Sequence, residues 1–124
     1  MSARWKLTVR SGPRVERSRF ATLPDALAAL EARAQELAKT APGRVVDAKI
    51  KRFAPVEQVV ARLEVAGPER LVPSVRAGVD VRGDGSVESY HGRVRRQPIA
   101  VARGETPYGA LAREVSSPGA RGSG

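Results

Sequence analysis

RWKLTVRSGPRVERSRFATLPDALAALEARAQELAK, residues 4–39, changes its hydrophobic period once, and that change decides the fold class. Trp5, Leu7 and Val9 alternate with Arg4, Lys6, Thr8 and Arg10, a period of two that puts the apolar set on one side of a strand with one buried face. Ser11-Gly12-Pro13 turns the chain, and Arg14 to Phe20 returns it as the second arm of a hairpin. This arm is poorly amphipathic, because Val15 shares its side with Arg17 and Arg19. Such a strand suits a sheet edge, where exposed charge discourages further strand pairing. The period then becomes helical, with Leu23, Leu27, Leu30, Ala34 and Leu37 on one stripe. Thr22 is the expected N-cap and Asp25 lies three residues on, near the positive helix end. Pro24 falls in the first turn, where its missing N–H costs nothing. Thr40-Ala41-Pro42-Gly43 is expected to end this helix, so that it spans about 23–39.

Strands follow. Val46, Ala48 and Ile50 alternating with Asp47, Lys49 and Lys51 predict a strand over 44–53. Val59, Ala61, Leu63 and Val65 predict another, stopped by Gly67-Pro68; its start is blurred because residues 56–60 also fit a helical turn. Val75, Ala77, Val79 and Val81 lead to the turn Gly83-Asp84-Gly85. A two-residue loop there would set Glu88 opposite Val81. A three-residue loop, with Gly85 at positive φ, instead pairs Val81 with Val87 and Asp80 with Glu88, and keeps the valines together. The three-residue loop is preferred, with Arg82 or Arg76 diagonally placed to offset the facing carboxylates. The return strand, 86–99, carries Tyr90, His91 and Arg93–Arg96. Thr106-Pro107 then opens a short helix whose apolar face is Tyr108, Leu111, Ala112 and Val115. The predicted architecture is one α+β domain over 1–115, in the order ββαββββα. Its sheet is antiparallel or mixed, both helices pack on one face, and 116–124 form a disordered tail.

Composition narrows the chemistry. A chain of 124 residues with 41% hydrophobic residues can bury one core. Without cysteine it has neither disulfides nor thiolate metal sites, which suits a reducing compartment. Met1-Ser-Ala-Arg-Trp-Lys6 lacks the apolar run of a signal peptide, and no stretch approaches the ~18 apolar residues of a membrane span. A soluble, cytoplasmic protein with no membrane partner is therefore expected. His91 is the single histidine, so a zinc site lacks ligands and a Ser–His pair has one candidate; its expected place is on the core-facing side near the middle of its strand. Asp80, Asp84 and Glu88 gather at one hairpin tip, yet Asp-Gly is ordinary turn chemistry and the spacing is not that of an EF-hand loop. Gly83-Asp84-Gly85 is too short for a phosphate-cradling loop, and the turn itself explains Arg82-Gly83-Asp84. No catalytic residue, metal or cofactor is predicted, and the chain is not expected to be an enzyme.

The charge is the remaining signal. The formal net charge is +9, and 18 of the 22 basic residues are arginine. A high-GC genome yields such a composition on its own, but it would spread arginine evenly. Here residues 1–21 carry six basic groups and one acid, 43–54 carry four and one, and 93–104 carry four and none. The intervening stretches are near neutral. Three basic blocks on predicted strands point to a small basic domain that contacts DNA or RNA through its phosphates. The candidate contact residues are Arg4, Lys6, Arg10, Arg14, Arg17 and Arg19, helped by Lys49, Lys51, Arg93, Arg95 and Arg96. With aromatics at 4%, contact is expected to the backbone and with weak sequence preference. The alternative is a protein-interaction or adaptor module with no nucleic-acid role, binding an acidic partner or a second copy of itself through an open sheet edge.

Residues 4–38 also resemble, as a pattern, the arm-type DNA-binding domains of tyrosine recombinases. The likeness is carried by Arg4-Trp5, Val9, Arg17, Arg19 and then Phe20-Ala-Thr22-Leu-Pro-Asp25-Ala26-Leu27. In that family a small sheet reads DNA and a helix packs behind it, which is what the resemblance implies here. The pattern departs from the family in having room for two strands before the helix where the family has three, and the rest of the 124 residues is not a recombinase catalytic domain.

Overall fold

The computed structural model describes residues 5–47, 58–67, 75–92 and 96–116, with 42–47 and 75 described by backbone alone. The chain runs β1 (Trp5–Ser11), β2 (Arg14–Phe20), α1 (Leu23–Asp47), β3 (Val59–Gly67), β4 (Val75–Arg82), β5 (Val87–His91), β6 (Gln97–Pro98) and α2 (Pro107–Ser116). The six strands form one antiparallel sheet in the order β2-β1-β3-β4-β5-β6. The first hairpin is the predicted one, with Ser11 opposite Arg14 and Gly12 at φ 61° in a two-residue turn. As its charge pattern required, β2 is an edge strand.

Both helices lie on one face of the sheet. α1 crosses β1 to β4 and α2 covers β4 and β5. Into this layer point Leu7 and Val9 of β1, Ala61, Leu63 and Val65 of β3, and Ala77, Val79 and Val81 of β4. Against them pack Leu30, Ala34, Leu37 and Ala41 of α1 and Ala110, Leu111 and Val115 of α2. Each large aliphatic side chain fully buried here contributes roughly 1.5–3 kcal/mol. Leu63, at 0% exposure, is the centre of the arrangement because β3 is paired on both sides and roofed by α1. Trp5 and Phe20 sit opposite each other across β1 and β2, half-buried against the same core.

The ends of α1 show local and tertiary forces in turn. At its start Thr22 Oγ1 accepts from the Asp25 N–H at 3.2 Å, the predicted cap. At its far end the helix does not stop at Thr40-Ala-Pro-Gly43 but continues to Asp47. Pro42 forfeits a helical hydrogen bond at a cost of about 3 kcal/mol. Ala41, fully buried on the same stripe as Ala34 and Leu37, anchors the turn that carries it. Residues 44–47 then extend an existing helix, which needs no new nucleus. The strand expected over 44–53 is therefore wrong over 44–47, and 48–53 lie outside the described residues. The element order still reads ββαββββα for a different reason: the return strand expected over 86–99 ends at His91, before Gly92 at φ 122°, and Gln97–Pro98 run back antiparallel to it as β6.

The β4–β5 hairpin has the predicted three-residue loop. Val81 faces Val87, Asp80 faces Glu88, and Gly85 takes φ 89°. The facing carboxylates are offset by Arg62, which binds Asp80 at 2.7 Å, and by Arg82, which binds Glu88 at 2.7 Å. At the tip Asp84 Oδ1 accepts from the N–H and hydroxyl of Ser86, which holds the Asp84 carboxyl below its ordinary range. α2 begins as expected, with the Gly109 N–H donating to Thr106 Oγ1 at 3.0 Å.

One glycine is required by contact rather than by φ. Gly78 lies between Glu64 of β3 and Tyr90 of β5, and a Cβ there would fall on the Leu63 carbonyl oxygen and 2.9 Å from Glu64 Cα. All of these neighbours are backbone in the middle of the sheet. Gly78→Ala is expected to destabilise the fold by more than about 2 kcal/mol in denaturant titration. A loss below about 0.5 kcal/mol would mean that strands β3 and β4 can separate there at no cost.

Candidate nucleic-acid interface

Because the helices take one face of the sheet, the pleat sends every alternate side chain to the other, and among the described residues no element covers that outer face. On β1 the outward positions are Lys6, Thr8 and Arg10; on β2 they are Val15, Arg17 and Arg19. On β3, β4 and β5 they include Arg62, Glu64, Arg76, Asp80, Arg82, Glu88 and Tyr90. Charges of both signs thus share one surface, but they are not mixed evenly.

Toward β5 every described cation of this face has a partner. Arg62 donates to Asp80 through Nε at 2.7 Å and Nη2 at 3.2 Å, Arg82 pairs with Glu88, and Arg76 Nε lies 3.4 Å from Glu64. Tyr90 reaches over Gly78 and donates its hydroxyl to Glu64 Oε1 at 2.9 Å. The guanidiniums of Arg62 and Arg96 stand 6.0 and 5.6 Å from the ring centroid, within cation–π range. Although it points outward, Tyr90 is therefore only 4% exposed, and burial together with the Glu64 charge pushes its phenol well above the ordinary range.

Toward β2 the opposite holds. Lys6, Arg10, Arg17 and Arg19 have no carboxylate partner among the described residues. Two of the cross-strand registers set like charges face to face: Lys6 against Arg19, and Arg10 against Arg62. Such pairs destabilise a sheet. The single acid of this hairpin, Glu16, sits in the opposite phase across from Val9 and is taken on the helix side by Arg33, whose Nη2 donates to it at 2.9 Å and Nε at 3.3 Å. The outer face of the hairpin is left with four cations and no anion.

Of the residues singled out from sequence, Lys6, Arg10, Arg17 and Arg19 share this patch. Arg14 is on the same hairpin but in the phase of Glu16, so it belongs to the other side. Arg96 is on the outer face, yet four strand spacings away, about 19 Å, beside Tyr90. Arg4, Lys49, Lys51, Arg93 and Arg95 lie outside the described residues. The pairing of Glu16 with Arg33 was not anticipated; its sequence signal was a lone acid inside a basic strand.

His91 occupies the core-facing phase, opposite Ala77, but at the end of β5 rather than in its middle. It borders an open cleft of about 490 Å³ between Pro98–Ala102 and α2. His91 Nε2 is 4.0 Å from Glu114 Oε1, whose other oxygen is 3.7 Å from Arg113 Nη1. Arg113 also grips Glu105 at 3.0 and 3.1 Å and the Ala100 carbonyl at 2.9 Å, holding the Glu105 carboxyl below its usual range. Arg113 and Glu105 thus satisfy each other, and no described residue lining the cleft carries a hydroxyl or thiol. No group of three or more His, Asp or Glu placed to hold a metal ion occurs among the described residues, and no described helix is long and apolar enough to cross a membrane. No protein-family model, curated protein or solved structure matched the chain, so the reading of the site rests on its own geometry.

The Glu16–Arg33 pair has a checkable consequence. The Arg33 hydrogen bond lowers the folded pKa of Glu16 below its unfolded value. The pair thus contributes stability above the ordinary glutamate range and loses it as pH falls through the folded pKa. Arg33→Gln is expected to return Glu16 to the ordinary range in an NMR titration, at a stability cost below about 1 kcal/mol because both groups are partly exposed. An unchanged titration would show that Arg33 does not hold Glu16.

Proposed function

We propose that this chain binds nucleic acid through its phosphate backbone, using the outer face of the β1–β2 hairpin. The observation that carries the reading is the set Lys6, Arg10, Arg17 and Arg19 on one face, without a carboxylate partner among the described residues, beside a region where Arg62, Arg76 and Arg82 are each matched by an acid. Edge protection accounts for arginine on β2. It does not account for Lys6 and Arg10, because β1 is paired on both sides. Nor does stability, since Lys6–Arg19 and Arg10–Arg62 are repulsive registers. Cations kept at a cost to the fold are the pattern of a binding surface.

An acidic protein strand added to the edge of β2 is the competing reading, favoured by the N–H and C=O groups that alternate residues of β2 turn away from β1, with no strand beside them among the described residues. A second copy of this chain on the same edge would bring the arginines of the two β2 strands together, which opposes it.

Four phosphate contacts imply a defined salt response. Binding of a short labelled duplex, followed by fluorescence anisotropy, is expected to weaken with a slope of log K against log salt of about −3 to −4. Replacing Lys6, Arg10, Arg17 and Arg19 together by Gln is expected to cost more than about tenfold at low salt. The same variant should unfold at an equal or higher temperature, because the repulsive registers are gone. Salt-insensitive binding, or affinity unaffected by the four substitutions, would refute the assignment.

A further inference from the structure

Resting on that reading, we infer that the nucleic acid held by the hairpin is double-stranded, and that single strands are the weaker ligand. The inference comes from what the cationic array contains and what it lacks.

Its charges are set on a stiff lattice. Lys6 and Arg19 are cross-strand partners about 5 Å apart. Arg17 lies two residues from Arg19, about 6.6 Å along β2, and Arg10 lies four residues from Lys6, about 13 Å along β1. β1 is hydrogen-bonded to β2 through seven registered pairs on one side and to β3 through six on the other. The backbone positions that carry the four cations are therefore preformed, an array suited to a ligand whose phosphates are themselves held in a fixed geometry.

What the array lacks is a ring. Proteins that hold single strands draw about 1–3 kcal/mol per base from stacking on aromatic side chains. Between and beside the four cations the outward positions are Thr8 and Val15, and the register partner of Thr8 on β3 is Glu64. The aromatic residues of this half of the sheet, Trp5 and Phe20, are in the opposite phase and pack under α1. Tyr90, the outward aromatic among the described residues, is closed off by Arg62 and Arg96 and hydrogen-bonded to Glu64. Among the described residues of this face, unstacked bases would find no open aromatic ring to rest on. In a duplex the bases stack on one another, so the protein need supply charge alone. The duplex also offers the denser charge, one per about 1.7 Å of axis, and releases more counterion per contact than a single strand.

The test compares four probes of one mixed sequence at one low salt concentration: a DNA duplex, the RNA duplex of the same sequence, and one constituent single strand of each. Both duplexes are expected to bind at least about threefold more tightly than their own strands; the two duplex arms tell DNA from RNA as the source of the shared phosphate chemistry. Thr8→Tyr, which places a ring amid the cations, is expected to narrow that ratio by strengthening single-strand binding. A single strand that binds as tightly as its duplex, or a Thr8→Tyr variant of unchanged ratio and intact fold, overturns this inference and leaves the phosphate-binding reading standing. Failure of all four probes to bind overturns both.

Discussion

Both helices lie on the same face of the sheet, and from that single constraint the pleat dictates the destination of every alternate side chain. Leu7 and Val9 go inward, so Lys6, Thr8 and Arg10 must go outward. Leu63 and Val65 go inward, so Arg62 and Glu64 share the surface with them. The requirement to bury an apolar layer of Leu, Val and Ala therefore composes the outer surface as well. A slip of one residue in β1 would expose Leu7 and Val9 and bury two cations, so the register is held by the same energy that holds the core.

Within that outer face, electrostatics separate two regions. Across β3, β4 and β5 the cations close on acids of neighbouring strands, and Tyr90 is fastened over Gly78 by Glu64. That half is self-sufficient. On β1 and β2 the one available acid is removed to the helix side by Arg33, and the cations are left facing one another. Ion pairs at such partly exposed sites contribute little to stability. Their main consequence is spatial: apart from Arg96, which rests on the Tyr90 ring, the described outer-face cations without a carboxylate are those of one hairpin.

Much of this was legible in the sequence because it is local. The period change at Thr22, the capping threonines at 22 and 106, and the loop at Gly83-Asp84-Gly85 each follow from a few adjacent residues. What misled was also local. Pro42-Gly43 reads as a helix end, but the burial of Ala41 is a tertiary fact that no nearby residue announces. The alternation of Val46, Ala48 and Ile50 spans too few residues to distinguish a new strand from a continuing helix. For the site, the basic character of the hairpin was plain, whereas its division was not. Whether Arg14 sides with Arg17 depends on the register, and whether Glu16 neutralises the patch depends on Arg33, seventeen residues away.

We propose the outer face of β1 and β2 as the surface on which nucleic acid binds. Amide chemical-shift mapping of the labelled full chain, titrated with a short DNA duplex at low salt, tests it most directly. Perturbations are expected to concentrate on residues 6–19, fading across β3 and absent from α2 and the Pro98–Ala102 segment. Perturbations centred on α2 and the His91 cleft, with the hairpin unmoved, would contradict it.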